Sequence, residues 1–282
     1  MKGVILCPNP DKDRDFAVTR QAKALLEGEG FPVSVCPELV DGAMPEPPDG
    51  LSFRDFPEAL RDASLVVSLG GDGTIMHTAR RMLGHEIPLL GVNLGTVGFL
   101  AGLERWELDR LADVARGDYV LSPRLMLHVQ VLREGEPVFE TTALNDVCLH
   151  SVVRMISMTA RCDGRKILDF SGDGVVIASP TGSTAYSLAA GGPLVAPTAD
   201  NLIMTPICAH ALSARSLVFT ADRVLTVTLG RTRGGAVISA DGGLFEAQSG
   251  DTLRVEKSKF RTMIAHVGDK AFYDIVYQKL GD

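Results

Sequence analysis

The chain has 282 residues, 45% hydrophobic and 22% charged, the make-up of an ordinary soluble globular protein with room for two cores. A net charge of -7 speaks against nucleic acid as a partner, and no apolar run approaches the roughly 20 residues that cross a bilayer. Five cysteines (Cys7, Cys36, Cys148, Cys162, Cys208) form no C-x-x-C pair and are too few for a disulfide scaffold, so a reducing cytoplasm fits.

The first 120 residues alternate between strand-like and helix-like segments. Val4-Ile5-Leu6 reads as a short buried strand, and Phe16 to Leu26 as a helix ended by Gly28 and Gly30. Val33-Ser34-Val35 is the next strand. Pro37, Pro45, Pro47 and Pro48, with Gly42 and Gly50, predict an exposed loop over 37–50. A strand at 65–69, a helix at 75–83, a strand at 87–93 and a helix at 107–116 complete the run. The alternation predicts an α/β fold on an open, mainly parallel sheet, where ligands gather at the carboxyl ends of strands.

From 123 the period changes to two. Leu125, Leu127, Val129 and Val131 alternate with Met126, His128 and Gln130. Strand-like runs recur at 138–142, 155–161, 175–178, 224–229, 236–239, 252–256 and 262–267, which predicts an antiparallel, sandwich-like β-rich domain. In the tail, Phe272, Ile275, Val276 and Leu280 share one helical face, expected to pack back on the first domain.

Between the strand at 65–69 and the helix after it lies Gly70-Gly71-Asp72-Gly73-Thr74. Glycines turn the backbone sharply and leave amides open to a bulky anion, and the helix N-terminus points its dipole at the same spot. The turn is neither a Walker loop nor a dinucleotide fingerprint. It carries a carboxylate, Asp72, beside the proposed phosphates, which is repulsive unless that group holds a metal or accepts a proton. A second set lies in the β-rich half: Leu144-Asn145-Asp146-Val147, and a strand, a Pro180-Thr181-Gly182 turn and a Ser/Thr-opened helix over 172–193. These offer hydroxyls, amides and the aromatic ring of Tyr186. Asn145 can pair along an adenine edge, and a carboxylate at 146 or 173 can accept from a ribose diol.

The Gly-Gly-Asp-Gly-Thr turn resembles the superfamily of NAD kinases, diacylglycerol-type lipid kinases and phosphofructokinases. The run Pro180-Thr181-Gly182-Ser183-Thr184-Ala185-Tyr186-Ser187, with Asn145-Asp146 and Asn93-Leu94-Gly95-Thr96-Val97-Gly98-Phe99-Leu100, is similar to the NAD kinase family in particular. The resemblance covers Asp72 through Leu212-Ser213-Ala214-Arg215 and weakens in the first 60 and last 40 residues. It implies a phosphotransferase with an alcohol acceptor, passing the γ-phosphoryl of ATP to the 2′-hydroxyl of the adenosine ribose of NAD. Asp72 is then the proton acceptor. Gly70, Gly71, Gly73 and Thr74 hold ATP phosphates, with a divalent cation, Mg²⁺, bridging them. NAD contacts fall to Asp72, Gly73, His77, Asn145, Asp146, Arg154, Asp173, Thr181, Thr184, Ala185, Tyr186, Ser187, Leu188 and Ala189. The domains implied are 1–122 for ATP phosphates, 123–267 for NAD, and 268–282 as a C-terminal helix. The resemblance further implies a homodimer or homotetramer with its dinucleotide site partly built across subunits, while composition and charge predict a cytoplasmic setting and no membrane or nucleic-acid partner. Departures are Asp241-Gly242-Gly243 where the family has Asp-Gly-Gln, Ala189 for a frequent serine, and Ser171 where some members have arginine. A lipid kinase of the same superfamily and a non-catalytic NAD-sensing regulator are the alternatives. The first wants an apolar cleft or basic face, and the second has no need of Asp72.

Overall fold

The structure, a computed structural model, describes residues 2–40, 42–95, 98–211, 214–232, 234–268 and 272–280. The chain forms two compact units, one of residues 1–123 with 262–282, the other of 124–261.

The first unit opens with β1 (Gly3–Pro8), α1 (Ala17–Gly28), β2 (Val33–Val35), α2 (Phe56–Leu60), β3 (Ala63–Gly70), α3 (Asp72–Arg81), β4 (Leu89–Asn93), β5 (Leu103–Glu104) and α4 (Leu111–Arg116). Local chemistry starts the helices. Buried Asp13 accepts the Val18 and Thr19 amides at 2.9 Å each and the Thr19 hydroxyl at 2.6 Å, which launches α1. Asp55 accepts the Glu58 amide at 3.1 Å and Pro57 sits in the first turn, so a short α2 forms where the sequence reading names no element. The expected helix at 107–116 is a 3-10 turn followed by α4, with a break at Glu107. These strands pair in parallel in the order β2-β1-β3-β4, with β5 also parallel beside β4. The core is the near face of that sheet (Val4, Leu6, Leu65, Val67, Leu69, Leu90, Val92) against Val18, Ala22 and Leu26 of α1. The helix expected at 75–83 begins at Asp72 and ends at Arg81. Gly71 is its extended N-cap, so Asp72 stands in the first turn, where a negative charge meets the positive end of the dipole.

The second unit contains most of β6 (Val120–Arg133), β7 (Glu136–Ala143), β8 (Asp146–Ser151), β9 (Ile156–Cys162), β10 (Arg165–Gly172), β11 (Gly174–Ala178), α5 (Tyr186–Ala189), β12 (Asn201–Ile207), β13 (Leu217–Thr220), β14 (Leu225–Leu229), β15 (Ala236–Ala240), β16 (Gly243–Ala247) and most of β17 (Thr252–His266). One antiparallel sheet runs β13-β12-β11-β8-β15-β16; the other runs β10-β9-β14-β17, with β6 beside β17 and β7. The expected sandwich is present: Leu125, Leu127, Val129 and Val131 of β6 share a core with Val147, Leu149, Val175, Ile177, Leu202 and Ile238 of the other sheet. The two strands expected at 252–256 and 262–267 are one. The strand continues through the gap between them, where Lys257 pairs with Asp200 at 2.7 Å.

From Thr262 onward the chain belongs to the first unit again, where Ile264 pairs in parallel with Leu89 of β4. In α6 (Phe272–Leu280), Phe272, Ile275 and Val276 are half-buried, while residues 269–271 and the Leu280 side chain of the expected face lie outside the described residues. Lys279 Nζ stands 4.2 Å above the Phe99 ring. No helix among the described residues is long and apolar enough to cross a membrane.

Candidate active site

In the first unit, neighbouring strands β1, β3 and β4 deliver Asn9, Gly70–Asp72 and Asn93 at their carboxyl ends. A side chain at Gly70 would run into Thr74, so the turn closes only without one. Asp72 is held rather than loose: its Oδ2 accepts the Phe99 amide at 2.8 Å and its Oδ1 the Leu100 amide at 3.2 Å. Gly98 passes so close that any side chain there would strike the carboxylate. The loop is also fixed at its start, where Asn93 donates to Glu104 at 2.9 Å and accepts the Gly95 amide at 3.2 Å. Thr96 and Val97 of this loop lie outside the described residues. Gly73 is exposed and Thr74 buried, its hydroxyl accepting from Asn9 at 3.2 Å. His77 Nδ1 meets Glu38 Oε1 at 2.9 Å, and Asn9 donates to the other Glu38 oxygen at 2.7 Å. Sequence reasoning passed over both Asn9 and Glu38. Asn9 follows the first strand, and the carboxyl-end rule would have found it; Glu38, in a proline-rich loop, carries no local signal.

In the second unit, Asn145 and Asp146 lead into β8. Ser179 ties them to the other segment, its amide donating to Asn145 O at 2.8 Å and its hydroxyl to Leu144 O at 2.6 Å. Gly182 then packs on the Asn145 backbone with no room for a Cβ. Asp146 is pushed up to about 7 by burial and by the charge of Asp241, an effect that the Tyr186 amide, donating to it, only partly offsets. Asp241 accepts the amides of Leu144 (2.5 Å), Asn145 (3.1 Å) and Asp146 (3.3 Å). The Thr181 hydroxyl is buried without a hydrogen-bond partner among the described residues, a group that a bound polar ligand would satisfy. Thr184 donates to Thr181 O at 3.2 Å. The helix over 186–189 is not opened by Ser and Thr hydroxyls as expected: its N-cap is Ala185 with no side-chain cap, because Ser183 is bonded to Val195 and Ser187 turns inward to Thr205 at 3.2 Å. Tyr186 and Ala189 are exposed, and Ala185 and Leu188 half-buried.

The structure gathers Asn145, Asp146, Thr181 and Thr184–Ala189; Asp173 lies within electrostatic reach of Tyr186, whose phenol is raised by burial and then by neighbouring charges including Asp173, and Arg154 stands apart. Strands β8 and β11 pair antiparallel, Gly174 with His150 and Ala178 with Asp146. Asp173 and Arg154 therefore lie at the far end of this ladder, a strand length of roughly 16 Å away. Arg154 is on an exposed bend after β8, not on a strand.

The first site has the parts of an anion cradle with one carboxylate inside it, and the second those of a polar nucleoside pocket. The ATP-NAD kinase N-terminal domain family matches residues 53–118 and the ATP-NAD kinase C-terminal domain family residues 144–267. The chain is 38% identical over 286 residues to the NAD kinase of Heliobacterium modesticaldum, covering 99% of this chain and 97% of that one. It is 33% identical over 293 residues to the NAD kinase of Lachnoclostridium phytofermentans, covering both in full. In fold it is similar to yeast NADH kinase complexed with NADH (TM-score 0.84, 24% identity, 99% of this chain and 88% of that one). It is also similar to an NAD kinase from Archaeoglobus fulgidus in complex with ATP (TM-score 0.73, 22% identity, 98% of each). Full-length relatives above 30% identity, two matched domain families and the observed fold lead to one conclusion: the chain belongs to the NAD kinase family.

Proposed function

We infer that the chain transfers the γ-phosphoryl of ATP to the 2′-hydroxyl of the adenosine ribose of NAD, making NADP. The observation that carries this reading to particular residues is the clamped carboxylate of Asp72 inside a glycine turn at a helix N-terminus. Phosphoryl transfer asks for in-line positioning and charge neutralisation more than covalent chemistry. The turn of Gly70, Gly71, Gly73 and Thr74 at the N-terminus of α3 holds the triphosphate. Asp72, fixed by two loop amides, takes the proton of the attacking hydroxyl. Asn145, Asp146, Thr181 and Thr184–Ala189 hold the dinucleotide, with Tyr186 as an aromatic plate and His77 as a polar contact on α3.

Bound Mg²⁺ would supply charge neutralisation on the phosphates. Among the described residues no group of three His, Cys, Asp or Glu side chains could hold a metal, and the cradle has the one carboxylate of Asp72. That donor set fits a hard cation carried mainly by substrate phosphates. We further propose a cytoplasmic homodimer or homotetramer in which Asp173 and Arg154 serve the dinucleotide site of another copy. The position of Arg154 on an exposed bend beyond the β8–β11 ladder, away from Asn145, supports this.

The direct test mixes purified protein, Mg²⁺-ATP and NAD and reads NADP with an NADP-specific dehydrogenase. NADP should form, 2′-deoxy-NAD should bind without being phosphorylated, and diacylglycerol should be inert. Phosphatidate without NADP would assign the chain to the lipid-kinase branch instead.

A further inference from the structure

Lys12 is a residue that neither the motif nor the nucleotide pocket includes, yet the fold brings its ammonium to the cradle. Asn9 organises the exit of β1: its side-chain oxygen accepts the amides of Asp11 at 3.0 Å and Lys12 at 3.3 Å, and its amide reaches Glu38 and Thr74. This tight turn sends Lys12 back across the ends of β3 and β4. Its Nζ lies 2.5 Å from where a Cβ on Gly71 would stand and 3.8 Å from the same point on Gly95. Gly71 is the N-cap of α3, and Gly95 follows β4 in the loop that clamps Asp72. Among the described residues, the Lys12 ammonium has no carboxylate partner within ion-pair distance.

A lysine ammonium beside the N-terminus of α3, in a protein of net charge -7, has an anion as its natural complement. We propose that Lys12 is a phosphate-binding residue for the nucleoside triphosphate, completing on the β1 side the cradle that Gly70–Thr74 forms on the other. This rests on the reading that the cradle holds the phosphates of ATP. A Cβ on Gly71 would meet this ammonium, the far end of a flexible side chain.

The test compares Lys12→Met and Lys12→Arg with the wild type in full-length protein. Three quantities are read: kcat/KM for Mg²⁺-ATP, competition by inorganic tripolyphosphate, and NAD affinity measured without ATP. Lys12→Met should lower kcat/KM for ATP and weaken tripolyphosphate about tenfold or more, the scale of a hydrogen bond to a charged group, with NAD affinity unchanged. Lys12→Arg should recover most of the loss. ATP and tripolyphosphate values within twofold of wild type, or an equal loss for NAD, would overturn the proposal. Gly73→Asp tests the cradle separately, since a Cβ there meets nothing within 4 Å and the new charge would repel phosphate. If Gly73→Asp impairs ATP and Lys12→Met does not, the cradle stands and Lys12 falls. If neither impairs ATP, the cradle reading itself is lost.

Discussion

Asp72 receives one amide on each oxygen, so Asp72→Asn tests more than charge. Asparagine keeps an acceptor for one amide and turns a donor toward the other. Turnover should fall by about 10² or more, the scale of a lost general base, while NAD still binds. Wild-type turnover in this variant would reduce Asp72 to a structural turn residue that ties the cradle to the 99–100 loop. Asp146 makes a different prediction. Its ordinary carboxylate value is raised to about 7, chiefly by burial and then by Asp241. Between about pH 4 and 7 the folded chain keeps a proton that the unfolded chain has released, so this group's stabilising contribution is lost as pH rises through that window. Asp146→Asn removes the titration. Its melting temperature should gain on the wild type from pH 5 to 7.5, and NAD affinity, if the ionised carboxylate accepts from ribose, should rise through pH 7 only in the wild type. A constant difference in melting temperature across the window would refute the assignment.

At the scale of elements, the hairpin joining β15 and β16 shows how a turn can act on a distant segment. Asp241 and Gly242 both have positive φ, 44° and 86°, the signature of a two-residue primed turn. The turn aims the Asp241 carboxylate at three successive amides of 144–146. Replacing it with alanine leaves those donors without their acceptor, each about 1–3 kcal/mol where water cannot enter. Asp241→Ala should therefore weaken NAD more than tenfold with little change in KM for ATP; equal losses for both would show a global fold defect instead. The sequence marks Asp241-Gly242-Gly243 only as a departure from the family, because nothing local reveals a bond across 97 residues. Strong periodicity made α1, β2, β6 and α3 legible, the last with its start three residues off because glycine and aspartate read as turn before helix. Strand β10 was missed for its charges, Arg165, Lys166 and Asp169, though Asp163-Gly164 with φ of 50° and 77° is a hairpin signal ahead of it. Strand β12 was hidden by Pro206, tolerated because β13 pairs only with 201–204 and leaves that position without a partner on one side. The cradle and the Thr181–Ala189 run were readable as motifs. Of the partners that orient them, Asn9 was within reach of the carboxyl-end rule, whereas Glu38, Asp241 and Thr205 were not, since each acts through space.

For the whole molecule, the open question of assembly has a clear readout. If Asp173 and Arg154 complete another copy's site, NAD should favour the oligomer by mass action. Sedimentation at micromolar protein should show a larger species with NAD than without, and Asp173→Ala should abolish the difference without disturbing the fold. A fully active monomer at every concentration would end the shared-site proposal. The order in which the chain builds its units has a consequence of another kind. Residues 124–261 are contiguous, whereas the first unit needs Ile264 to reach Leu89 on the outer side of β4. During vectorial synthesis the second unit has all its strands once residue 261 has emerged, while the earlier-made sheet still shows part of β4 as a bare edge. The ribosome thus releases the first-made half of this protein in a state open to strand pairing with other chains, and only the late return of β17 closes it.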